Sequence, residues 1–195
     1  MSQYPEFWTS ASGAHRRVML KAAGYGDKDI RTKPHIGVPN SFQEGSPGTA
    51  HLRQIAEAVK QGIWAAGGIP VEFGIPATCG NIPNGVEEMK YEQVMRDIVC
   101  MSVEAVSKVH QFDGICMIAS CDNIIAGCYQ AAARLDIPAM VVTGGCMSAG
   151  FHEGRQVVEA DVDVARFSGK GDEELLEMEE SVCPTCGAGP SMGTA

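Results

Sequence analysis

FDGICMIASCDNIIAGCYQAAARLDIPAMVVTGG, residues 112–145, decides the fold. The apolar run at 113–119 has the length of a buried strand. The alanine-rich stretch 122–135 reads as a helix, 137–142 as a second strand, and 143–150 as a glycine-dominated loop. A strand, a helix and a strand in that order need a crossover connection, so the two strands lie parallel.

Upstream the same alternation repeats. A short strand at 35–39 is followed by a Gly, Pro and Ser loop at 40–49. A helix at 50–66 then carries Leu52, Ile55, Val59 and Ile63 on one face. A strand at 69–73 precedes a second glycine and proline loop at 78–85, and 86–109 has helical periodicity through Met95, Val99, Val103 and Val106. The expectation is an α/β domain with a mostly parallel sheet and helices on both faces. It spans 35–195 behind an N-terminal extension at 1–34. The acidic stretch 154–180 reads as a solvated helix and its approach. The loops after residues 40, 78, 120 and 143 all follow strands and should open on one edge, where such sheets gather their ligands.

Composition narrows the function. The 195 residues are 45% hydrophobic and 20% charged, ordinary for a globular protein. No apolar run approaches a membrane span and the first residues lack the order of a secretory signal, so a soluble cytoplasmic protein is expected, with no membrane partner. A net charge of −9 with scattered Lys and Arg argues against nucleic acid, while a local pocket can still take a small anion.

Eight cysteines in such a compartment point to metal, catalysis or packing rather than disulfides. Cys100, Cys116, Cys128 and Cys146 sit among apolar or small residues and read as packing. Cys79, Cys121, Cys183 and Cys186 lie beside loop-forming residues. Cys121 ends a strand and precedes a helix, whose amides and dipole favour a thiolate, although a cysteine there can also merely cap. Cys79 follows another strand, and two thiolates from separate strand ends would meet at one cluster. The CPTC spacing of Cys183 and Cys186 lets both reach one metal, but alone it is half a motif, with a simple turn as the alternative. Thr143, Gly144 and Gly145 offer backbone amides suited to an anion, or a turn with no ligand. His51 reads as a cap or surface residue rather than a ligand.

Five blocks taken in order, NSFQEGSPGTAHL, GIPATCGNIPNG, FDGICMIASCDNIIAG, VTGGCMSAG and CPTCGAGPSMGTA, resemble the dihydroxy-acid and phosphogluconate dehydratase family from about Lys33 onward. The resemblance implies an iron-sulfur hydro-lyase that converts a dihydroxy acid or sugar acid to a 2-keto acid. It places cluster ligands at Cys79, Cys121 and one of Cys183 or Cys186. Asp122 falls on the family's acidic residue, and the Thr143 loop would hold the acid. Gly48 stands where two-iron members have cysteine, which favours a 4Fe-4S over a 2Fe-2S cluster. The usual third ligand falls on Gly189, so a neighbouring cysteine must substitute. A magnesium ion is implied too, but its ligands depart from the family pattern. A family aspartate is Gly80, a lysine modified in some members is Asn123, and a motif proline is Ala126. Family members are several times longer, so a C-terminal domain or partner chain carrying a serine base is expected, as is a homo-oligomer. The chain alone is then expected to be inactive. Two rivals stay open: a non-catalytic cluster-binding or regulatory relative, and a small structural zinc module.

Overall fold

The computed structural model describes residues 6–182 and 184–189. Four strands, β1 (His35–Asn40), β2 (Ile69–Gly74), β3 (Gly114–Ala119) and β4 (Ala139–Thr143), form one sheet in the order β2-β1-β3-β4, parallel throughout. The register pairs His35 with Ile69, Ile36 with Gly114 and Ala119 with Thr143. The C-terminal ends Asn40, Gly74, Ala119 and Thr143 therefore share one edge.

The helices that connect these strands are α4 (Leu52–Ala65), α5 (Tyr91–His110) and α6 (Asp122–Leu135). They cover opposite faces because strand side chains alternate. Ile118 packs with Val38, Leu52 and Ala56 of the α4 side. Ile115, Met117 and Ala119 pack with Val99, Val103, Ile124 and Cys128 from α5 and α6. Burying such side chains contributes roughly 1.5–3 kcal/mol each, so two apolar faces hold the sheet. A 3-10 turn, Glu87–Lys90, opens the predicted 86–109 helix. Among the described residues no helix is long and apolar enough to cross a membrane.

The N-terminal extension forms α1 (Glu6–Thr9), α2 (Ala14–Ala22) and α3 (Asp27–Thr32). It packs at the entry to β1: the Trp8 ring lies 4.4 Å from that of His35, whose Nε2 meets the Ile30 carbonyl at 3.0 Å. The acidic stretch, read as a solvated helix and its approach, carries more structure than that. A hairpin, β5 (Gly150–His152) with β6 (Arg155–Val157), leads into it, and α7 (Glu159–Phe167) and α8 (Asp172–Val182) follow. Val157, Ala165, Met178 and Val182 bury a small core of their own, which explains why charge alone misread it. Cys146 also departs from expectation: it is exposed, because its loop leaves the sheet to bridge with Ala188.

Candidate metal centre

The strand order places β1 between its two successors, so the chain leaves β1 toward β2 on one side and β3 lies on the other. Connections there diverge and open a crevice at the strand ends. The loop after β1 is tied down around it. Asn40 donates from Nδ2 to Glu72 at 2.8 Å and accepts the Phe42 amide at 3.0 Å. Gln43 donates to the Ala77 carbonyl at 3.2 Å, and the Thr49 hydroxyl donates to the Gln43 carbonyl at 3.0 Å. Through Ala77 this loop holds the one that bears Cys79.

Cys79 and Cys121 meet in this crevice, 6% and 2% exposed, and their thiols interact. Cys121 is the N-cap of α6 with φ 71° and ψ 149°, backbone that non-glycine residues rarely hold. Such strain persists only where the surroundings overdetermine it, and it aims the sulfur at the crevice rather than along the helix. The Ser46 hydroxyl stands 3.9 Å from Cys121 Sγ. At Gly48 an added Cβ would lie 2.8 Å from the same sulfur, so only glycine lets this backbone pass so close.

The electrostatics of the pair are uneven. The Cys79 thiol is lowered to about 6 because Cys121 donates a hydrogen bond to it, against the effect of burial; the Asn81 and Ile82 amides and Ser46 lower it further. Cys121 is pushed up by that same bond, by burial and by the charge on Cys79, with Glu92 adding repulsion. The two protons belong to the pair: the first leaves easily and the second is held. Sequence reasoning favoured Cys121 as the thiolate, yet the backbone amides converge on Cys79. The buried hydroxyls of Ser41, Thr78 and Ser120 have no partner among the described residues. Two buried sulfurs with a ready thiolate and spare hydroxyls around them fit a soft metal or cluster.

The other predicted residues divide. Cys183 lies outside the described residues. Cys186 is exposed, but the segment after it docks on the site: the Gly187 amide donates to Pro47 and the Ala188 amide to Gly145, both at 2.9 Å. Asp122, exposed at the start of α6, lines a cleft of about 170 Å³ with Gly80, Asn81, Asn84, Glu92 and Asn123. Cys79 itself lines a wider cleft of about 380 Å³ with Gln43, Thr78, Tyr91 and Glu92. The Thr143 loop is more structural than expected, since the Gly144 amide donates to Ala119 at 3.2 Å and its carbonyl meets His51 Nε2 at 2.8 Å. Among the described residues one set of three ligand atoms lies within 4.8 Å, that of His152, Glu153 and Glu174 on the β5–β6 turn and α8, and Glu174 is already paired with Lys170. Glu92, which lines both clefts, carries no signal in the sequence, because an acid in a first helical turn reads as ordinary dipole complement. Cys100 and Cys128 pack in the core as expected, their thiols pushed up by burial.

A family model for the N-terminal region of dihydroxy-acid/6-phosphogluconate dehydratases matches residues 33–195. The dihydroxy-acid dehydratase of Desulfitobacterium hafniense is 46% identical over 191 residues, covering 96% of this chain and 34% of that protein. Those of Methanobrevibacter smithii and Halothermothrix orenii are 44% identical over 186 residues and 45% over 188, each covering 93% of this chain and 34% of the relative. The chain spans about a third of the length of these curated relatives.

Proposed function

Because the chain belongs to the dihydroxy-acid/6-phosphogluconate dehydratase family, we propose that it supplies the cluster-binding portion of a cytoplasmic hydro-lyase that converts a hydroxylated carboxylic acid to a 2-keto acid. The substrate is a dihydroxy acid or sugar acid. The meeting of Cys79 with a strained, buried Cys121 at the strand-end crevice carries this reading. Cys79 and Cys121 hold an iron-sulfur cluster of the 4Fe-4S type, with Cys183 or Cys186 as a third ligand. When bound, the cluster supplies a Lewis acid for the departing hydroxyl.

The chain's own residues bind and orient. The Cys79 thiolate is available near neutral pH, so a metal need not compete with a strongly held first proton. Thr143 and Gly145 hold the acid at the edge of β4, while Gly144 spends its amide on the sheet. Asp122 stands at the mouth of the smaller cleft, on the side where a magnesium ion would sit. The base that takes the C2 proton comes from a C-terminal domain or partner chain in a homo-oligomer. Seven free cysteines among the described residues accord with a reducing compartment.

A second reading, a non-catalytic cluster-binding relative, is favoured by Gly80 and Asn123, which lack the oxygen ligands and lysine the family pattern has there. Anaerobic reconstitution followed by iron and sulfide assay tests the cluster. Brown colour with both elements bound is expected, and a colourless zinc protein would reject it. 2-Keto acid formation from branched dihydroxy acids and aldonic acids, by the chain with its C-terminal partner, separates the two readings.

A further inference from the structure

His152 ends β5 and is 8% exposed, and its Nε2 is buried with no hydrogen-bond partner among the described residues. A buried polar nitrogen left unpaired is unfavourable, so the ring points to a partner that the chain does not supply. Its surroundings say which. One ligand atom each from His152, Glu153 and Glu174 lie within 4.8 Å of one another. An ion bound at about 2.1 Å holds tetrahedral ligands about 3.4 Å apart, so these atoms need to close by less than about 1.5 Å. Glu153 is exposed and Glu174 half-buried, so both side chains have room to move while β5 holds the ring in place.

The local fold brings the three together. His152 pairs with Arg155 across a two-residue turn in which Glu153 and Gly154 hold positive φ, 48° and 77°. Such turns favour Asn, Asp or Gly at the first place, yet here a glutamate sets its carboxylate beside the ring. Glu174 comes from the first turn of α8, on which the hairpin lies close. A Cβ at Gly150 would collide with the Ser181 carbonyl, and Val157 packs with Met178 and Val182. These contacts fasten the last turns of α8, and the cluster at Glu174 stands at its other end. One imidazole and two carboxylates suit a zinc-class dication better than magnesium, which prefers an all-oxygen shell. Lys170 is the competing cation, since its ammonium pairs with Glu174 Oε1. It leaves His152 Nε2 unpaired, whereas a dication takes the nitrogen and both carboxylates at once.

We propose that His152, Glu153 and Glu174 bind a zinc-class dication that clasps the β5–β6 turn to the first turn of α8 and displaces Lys170. The site goes beyond the dehydratase reading and uses none of the cysteines. The test is titration of the full, iron-free chain with cobalt(II), a coloured stand-in for zinc. Thiolate-bound cobalt absorbs strongly in the near ultraviolet through sulfur-to-metal charge transfer, and histidine-bound cobalt shows a hyperfine-shifted, exchangeable imidazole proton by NMR. Expected is a cobalt with the imidazole signal and no sulfur charge transfer, persisting unchanged in Cys121→Ser whatever becomes of the cluster. His152→Phe keeps a ring at the buried position and should abolish the imidazole signal. Glu153→Asn suits the positive φ better than glutamate, so the metal-free chain should melt no lower, yet binding should weaken about tenfold or more. Lys170→Met, which removes the competitor, should tighten binding. No sulfur-free cobalt in the unaltered chain, an imidazole signal that survives His152→Phe, undiminished affinity in Glu153→Asn, or weaker binding in Lys170→Met would overturn the proposal.

Discussion

Cys121 and Cys186 both border short turns, yet the fold fixes them by different means. Cys121 follows β3, an inner strand of the parallel sheet, caps α6, is buried, and holds a positive φ. Cys186 is exposed, in a loop held by backbone bonds from Gly187, Ala188 and Met147 to Pro47, Gly145 and Ala188. A ligand at a strand end inherits the precision of the sheet register, whereas one on a loop can swing. The sheet side is thus a template and the loop side a closure.

The comparison predicts its own mutational order. Cys121→Ser should remove most of the iron that the reconstituted chain binds, because it replaces a sulfur whose position cannot be supplied elsewhere. Retention of full iron and unchanged visible absorbance would break the template idea outright. Next, iodoacetamide labelling of Cys79 in the iron-free chain should rise about tenfold between about pH 5 and about pH 7, following thiolate formation near 6. In Cys121→Ala the rise should move to higher pH as the donor is lost. The sign for stability follows from the lowered value: what Cys79 contributes is fully present above about 9 and is lost as pH falls through about 6.

A smaller effect is expected of Gly48→Ala, whose Cβ would press on Cys121 Sγ and stand 3.3 Å from Ser120 Oγ. Overpacking of this kind costs about 1–3 kcal/mol, measurable as a lower urea midpoint together with reduced iron uptake. Smallest should be Cys186→Ser, with a partial loss of iron that differs from that of Cys183→Ser. Equal iron in both single variants and in the double variant would show that the closure loop contributes no ligand.

The template was readable in the sequence and the closure was not. The apolar runs at 113–119 and 137–142 and the stretch 122–135 announce their elements, and α6 spans Asp122–Leu135 as its alanine content suggests. Strand periodicity also tells which loops share an edge, which is why Cys79 and Cys121 could be paired on paper. Nothing in a cysteine's chemistry signals a positive φ, so the strain at Cys121 comes only from tertiary packing. Three-residue strands such as Gly150–His152 are too short for an alternation to register, and acidic neighbours masked them. The clefts beside the pair are equally silent in the sequence: Gly80, Glu92 and Asp122 line one of them from a loop and two helices, a meeting that no local pattern encodes.

The sheet order also sets a sequence in time. Ser46 and Cys121 are 75 residues apart, and His51 and Gly144 are 93 apart, so the crevice assembles through long loop closures that come late in folding. A nascent chain that has emerged only as far as α5 presents Cys79 without its partner sulfur. Its thiol then lacks the hydrogen bond that makes it a ready thiolate. In the proposed cluster protein, loading before β3 is complete would find only one of the two sulfurs in place.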